Sequence, residues 1–142
     1  KKQNKMGRVF FDTRKNIHAL DAAYTVLQSD SGKIFMMSAT GGDYTVTLPV
    51  AAALEEGWFC KFVVKEDTPS NVITIDAGSA IIDFVQKDAG GDASNSTAGT
   101  AKQTIVIQEA ATQGDYINLF TDGVTYYGEV MSAINDAIDH TA

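Results

Sequence analysis

The strongest constraint on this chain is period-two alternation in short runs. In residues 58–65, Trp58, Cys60, Phe62 and Val64 fall on one side, with Lys61 and Lys65 on the other. Successive side chains of a strand point to opposite faces, so this run reads as a strand with one face in a core. Tyr44, Val46 and Leu48 alternate with threonines in the same way, and Pro49 ends that run because proline cannot donate to a ladder. Ile73 and Ile75 pair on one face of another run. Further runs start at Tyr24, Lys33, Ile81, Thr104 and Tyr116, and a last one spans residues 124–131. Turn formers separate them, among them Ser29-Asp30-Ser31-Gly32 and the hairpin signal Asp122-Gly123. Eight or nine such strands, spaced about 8–15 residues apart, predict an all-β fold, an antiparallel β-sandwich, jelly roll or barrel.

Three segments lack that pattern. Residues 1–22 show no alternation and are expected to form an extended, basic N-terminal arm. Residues 87–103 are rich in Gly, Ala, Ser and Thr and read as a loop, long enough to imply mobility or function. In residues 132–142, Ile134, Ala137 and Ile138 stand at helical spacing, which suggests a tail or a short helix. The expected sandwich therefore covers residues 23–131. Its 142-residue chain is one domain by size.

Charge divides the chain. Residues 1–15 hold Lys1, Lys2, Lys5, Arg8, Arg14 and Lys15 against Asp12, a net of +5. The other 127 residues hold five lysines and 17 acids, a net of −12, which gives −7 overall. A basic arm on an acidic body reads as an arm that seeks an acidic partner, another copy of the body among them, and the plainer alternative is a solvated, disordered terminus. Nucleic acid is disfavoured as that partner, because the body would repel phosphates. No apolar run approaches the roughly 20 residues of a membrane helix, and no apolar signal core follows the basic start, so no membrane partner is expected.

Catalytic constellations are missing. His18 and His140 lie near the termini, away from any Ser, Cys or carboxylate pattern that forms a triad, and read as exposed. Glu55-Glu56 and Glu66-Asp67 fall in expected turns, where solvated acids are ordinary. Asp88, Asp92 and Asn95 offer oxygen ligands without the spacing a calcium loop needs. The lone Cys60 allows no internal disulfide and no cysteine metal cluster. The expectation is a non-enzyme without cofactor or metal. Tyr126 and Tyr127 must face opposite sides of a strand, and either could serve a subunit interface, where Tyr is enriched.

The order of motifs resembles a pattern of tailed-phage virion proteins. Tyr24-Thr25-Val26-Leu27-Gln28 leads into the turn Asp30-Ser31-Gly32-Lys33, then Ile34-Phe35-Met36-Met37. Thr45-Val46-Thr47-Leu48-Pro49, an Ala-rich link, Gly57-Trp58-Phe59-Cys60-Lys61-Phe62-Val63-Val64 and Asn71-Val72-Ile73-Thr74-Ile75 follow. Asp122-Gly123-Val124-Thr125-Tyr126-Tyr127 is similar to the closing strand of that pattern. The pattern occurs in capsid decoration (cement) proteins and in domains of tail fibres and spikes. The resemblance implies a jelly-roll-like sandwich on the outer capsid surface of a virion, made in the host cytoplasm. It implies binding to the major capsid protein and to itself, often as a trimer. The alternative it carries is a receptor- or glycan-binding fibre domain. The basic arm would then grip the shell through the six cations named above.

Overall fold

The computed structural model describes residues 14–66, 71–79, 81–89 and 96–142, with the side chains of 96–98 excepted. It is an all-β sandwich. Twelve strands are described: β1 Asn16–Leu20, β2 Tyr24–Thr25, β3 Lys33–Met37, β4 Tyr44–Thr47, β5 Phe59–Val64, β6 Ile73–Asp76, β7 Ile82–Asp88, β8 Ser96–Lys102, β9 Thr104–Ile107, β10 Tyr116–Thr121, β11 Tyr126–Ser132 and β12 Ile138–Thr141. Seven form one sheet in the order β1-β3-β5-β10-β11-β7-β8, and five form the other in the order β12-β9-β6-β4-β2. The only helical turns described are 3₁₀, at Gln28–Asp30 and at Ala51–Ala53 in the Ala-rich link.

The expected antiparallel pairing is half right. β10 runs antiparallel to β5 and β11, β7 to β8, and β9 to β6 and β12. Five other pairings are parallel: β1–β3, β3–β5, β2–β4, β4–β6 and β7–β11. The cause is the winding. The first six strands alternate between the two sheets, so each next strand of a sheet returns in the same direction. A parallel pair needs a long return path, and here that path is a strand of the opposite sheet.

The inner faces meet in one core. Phe35, Met37, Phe62, Val64, Ile82, Ile117, Leu119 and Tyr126 come from the larger sheet, and Val46, Ile73, Ile75, Ile105, Ile107 and Ile138 from the smaller one. The inward set read from β5 is correct: Trp58, Cys60, Phe62 and Val64 are all buried. Phe35 and Phe62 are register partners, and their rings stack at 5.1 Å and 17°. The turn between β2 and β3 is built on Asp30. Its carboxylate accepts hydrogen bonds from Leu27 N–H (2.9 Å), Tyr24 Oη (3.0 Å) and Lys33 Nζ (2.6 Å). Gly32 follows at φ +82°, where a side chain would be strained, and donates its N–H to Phe59 O at 2.7 Å. The Asp-Ser-Gly-Lys motif is thus a fold device, fastening one strand connection to β5.

All three segments without alternation contain strands. The expected arm of residues 1–22 ends earlier, because β1 pairs with β3 over Asn16–Leu20, with His18 and Leu20 directed inward. Residues 1–13 lie outside the described residues. The expected 87–103 loop is largely a hairpin: β7 runs to Asp88, and β8 returns beside it. Strand β8 escapes notice because its residues are small. The small residue has a reason at Gly99, where a Cβ would stand 2.4 Å from the Phe84 ring that covers it. The expected helical or free tail is also wrong. A turn through Asp136, at φ +58°, leads into β12, which pairs with β9. Burying Ala137 and Ile138 while Ile134 stays exposed breaks the helical spacing.

These boundaries set a prediction for truncation. Removing residues 1–13 is expected to leave the melting temperature within a few degrees, because every described strand is kept. Removing 1–22 strips β1, uncovers the β3 edge and should lower it by roughly 5–10 °C, the equivalent of about 2 kcal/mol. Thermal unfolding of the two truncated chains followed by circular dichroism makes the comparison.

Candidate interaction surface

Several residues with reactive side chains are committed to the fold. The Cys60 thiol is buried, and that burial, with a smaller push from Asp30, raises its pKa far above the usual range. Such a thiol is a small core hydrophobe rather than a nucleophile. His18 and His140 are half-buried rather than exposed. His18 packs at 4.8 Å from the Tyr24 ring and 5.6 Å from Phe35, and His140 lies edge-on to Phe84 at 4.9 Å. Of the acids weighed as calcium ligands, Asp88 points inward and accepts hydrogen bonds from Ser132 Oγ and Gln86 Nε2. Asp92 and Asn95 lie outside the described residues. Glu55 and Glu56 are exposed in a turn, Glu66 accepts from Ser38 Oγ, and Asp67 lies outside the described residues. Among the described residues, no group of His, Cys, Asp and Glu is placed to hold a metal ion.

The two candidate interface tyrosines separate. Tyr126 is fully buried, donates its hydroxyl to Pro49 O at 2.6 Å and packs edge-on to Trp58. Burial holds its phenol protonated, and no partner subunit can reach it. Tyr127 faces out, stacks on Phe120 at 5.5 Å and 29°, and donates to Asp122 Oδ2 at 3.2 Å. Asp122 also accepts the N–H groups of Val124 and Thr125, closing the Asp-Gly turn between β10 and β11. Of the six arm cations, Arg14 and Lys15 are described and exposed at the start of β1. Lys1, Lys2, Lys5 and Arg8 lie outside the described residues.

Sequence reasoning missed the surface around Tyr127. The strand register aligns the outward residues of the seven-stranded sheet in three rows. One row is Phe59, Phe120, Tyr127 and Asp83. The next is Ile17, Ile34, Lys61, Asn118, Glu129 and Val85. The third is Ala19, Met36, Val63, Tyr116, Met131 and Lys87. Phe59, Phe120 and Val85 are each more than half exposed, at 54%, 53% and 57%. The alternation that places Trp58 and Phe62 inside requires Phe59 and Val63 outside, which was the available signal.

The outer face of the five-stranded sheet is opposite in character. There the register lines up Thr25, Thr47, Asp76, Thr104 and Thr141. A threonine and aspartate face is suited to water, while a broad apolar face marks a binding surface. Two shallow clefts lie on the apolar face. One of about 440 Å³ is lined by Asp83, Val85, Asn118, Phe120, Tyr127 and Glu129, and one of about 270 Å³ lies between Lys15, Ile34, Phe59, Lys61 and Phe120.

No protein-family model matches the chain, and no curated protein matches it. The surface chemistry is therefore the ground for a functional reading.

Proposed function

We propose that this protein is a virion structural protein that binds the outside of a phage capsid and cements neighbouring major capsid subunits. The observation that carries this reading is the charge division, +5 over residues 1–15 on a body of −12. Such a chain presents a cationic grip, and the acidic body discourages contacts with phosphate. The phage-type order of motifs supports it, as does a sandwich that commits Cys60, Asp88 and Tyr126 to its interior. The sandwich is the head that stands on the shell, and Lys1, Lys2, Lys5, Arg8, Arg14 and Lys15 attach it. The protein would be made in the host cytoplasm and end on the outer capsid surface.

The test is to titrate the full chain onto undecorated phage capsids and measure the bound fraction after sedimentation, at low and high salt. Saturable binding that weakens as salt rises is expected, because exposed ion contacts are screened. Absence of binding at low salt contradicts the proposal. A gel shift with DNA under the same conditions would favour a nucleic-acid partner instead.

One observation favours a second reading, a glycan- or receptor-binding domain of a fibre or spike. The larger cleft combines stacked Phe120 and Tyr127 rings with the polar groups of Asp83, Asn118 and Glu129. Apolar platforms rimmed by a few polar groups are how small ligands are held. Hits on a glycan array that vanish on Tyr127→Ala would support this reading, and an array without hits would end it.

A further inference from the structure

We propose that the outer face of the seven-stranded sheet is covered by the same face of a second copy, related by a two-fold axis running along β10. This follows from the pattern of charges on that face and needs no contact of residues 1–13.

The three rows contain four charged side chains: Lys61, Lys87, Asp83 and Glu129. Lys15 lines the smaller cleft on the same face, and Lys65 follows β5 on the same side, so the face carries four lysines against two acids on a chain of net charge −7. Copies of an acidic protein repel one another least through a face that lacks this acid excess. The same lack of acid disfavours the undescribed basic N-terminal segment as the occupant, since no excess of acid draws it there.

The position of the charges selects the symmetry. Lys61 on β5 and Glu129 on β11 flank Asn118 on the central strand β10, in one row. Tyr116 fixes both, with the Lys61 ammonium 4.0 Å from its ring centroid and its hydroxyl donating to Glu129 Oε1 at 2.7 Å. An isologous contact pairs a surface with itself. A two-fold axis in the plane of the face and along β10 exchanges β5 with β11. Lys61 then lies opposite Glu129 of the other copy, twice, and the two Asn118 amides meet. Phe59 meets Tyr127, Phe120 meets Phe120, and Val63 meets Met131. A two-fold axis across the strands would instead set Lys61 on Lys61 and Glu129 on Glu129. Face-to-face sheets cross at about 30°, which keeps these central correspondences.

The size is adequate. Seven strands about 4.8 Å apart, over five residues rising about 3.4 Å each, project roughly 600 Å². With side-chain relief added, this approaches the roughly 800 Å² that each partner gives to an interface of standard size.

Sedimentation equilibrium of the full chain, with K61E and E129K, tests the proposal. The unaltered chain is expected at twice the monomer mass. K61E places acid opposite acid and E129K places lysine opposite lysine, so each alone should weaken the dimer by about 100-fold or more. Mixing the two variants restores both pairs, and a dimer should return at the mixed stoichiometry. A monomer at all concentrations would overturn the proposal, as would a trimer, the expectation carried by the phage resemblance. So would a dimer indifferent to either reversal, or a mixture of two folded variants that stays monomeric. Folding of each variant is read from its melting temperature. Glycan binding in the larger cleft needs the same face open, so a dimer also argues against that second reading.

Discussion

Phe62→Ala is expected to lower the melting temperature by roughly 10–20 °C, from a loss of about 3–5 kcal/mol. Phe62 is fully buried at the middle of β5, between β3 and β10. Its ring stacks on Phe35, which in turn packs against Tyr24 and His18. Truncation removes the transfer energy of the ring and leaves a cavity that neighbours on two β-strands cannot collapse to fill. Phe59→Ala on the same strand is the control. Phe59 is more than half exposed on the outer face, so its loss should change monomer stability by less than about 1 kcal/mol. Chemical denaturation of both variants, at concentrations low enough to keep copies apart, measures the difference. Equal losses would mean that the assignment of inner and outer faces of β5 is wrong.

Asp30→Ala should cost about 2–4 kcal/mol at neutral pH. Three donors lose their acceptor at once, Leu27 N–H, the Tyr24 hydroxyl and the Lys33 ammonium, and stranded buried donors cost about 1–3 kcal/mol each. The upper end is not reached because the Lys33 side chain keeps 21% of its surface exposed and can recover water. The loss depends on pH. Burial by itself pushes the Asp30 carboxyl up, but the hydrogen bonds from Lys33, Leu27 and Tyr24 together outweigh it and hold the group below its ordinary 3.8. A carboxyl with a depressed folded pKa binds fewer protons folded than unfolded. Its stabilisation is therefore complete above the ordinary value and is lost as pH falls through the folded value. The unaltered chain and Asp30→Ala should differ fully at pH 6–7, and the gap should close only as pH falls below 3.8 and through the folded value. A constant gap down to acid pH would show that the carboxylate's charge contributes nothing.

Asp30 also bears on the phage resemblance. The turn Asp30-Ser31-Gly32-Lys33, one of the motifs that carries it, is explained by the fold: a buried acceptor, a positive-φ glycine and a lysine that pairs with the acceptor. These residues serve the strand connection itself. They speak for the sandwich more than for any one partner. The charge division is not accounted for by any fold device among the described residues, which is why the functional proposal rests on it.

What the sequence reveals and conceals here follows from what alternation encodes. Trp58, Cys60, Phe62 and Val64 are buried as read, and the Asp122-Gly123 turn joins an antiparallel pair as read. A period of two marks a strand and its buried face. It carries no information about strand direction, so the parallel pairings of β3 with β5 and β4 with β6 were not legible. Strand β8 was hidden because Gly99 gives up its side chain to make room for Phe84. Strand β1 was hidden because His18 holds an inward position usually filled by an aliphatic residue. Strand β12 was hidden by an accidental helical spacing around Ile134. The apolar outer face was overlooked because Lys61 and Lys65 make that side of β5 look solvated. Lys61 is instead one charged position in a mostly apolar face, lying over the Tyr116 ring.

In the proposed function the N-terminal cations are the grip and the sandwich is the head. Saturation binding to undecorated capsids, comparing the full chain with a chain lacking residues 1–13, tests this most directly. The full chain should saturate at a fixed ratio to the major capsid protein. The truncated chain should melt at nearly the same temperature yet bind at least tenfold more weakly, having lost four of the six cations. Equal binding by the two chains would contradict the account, and so would a full chain that fails to bind at all.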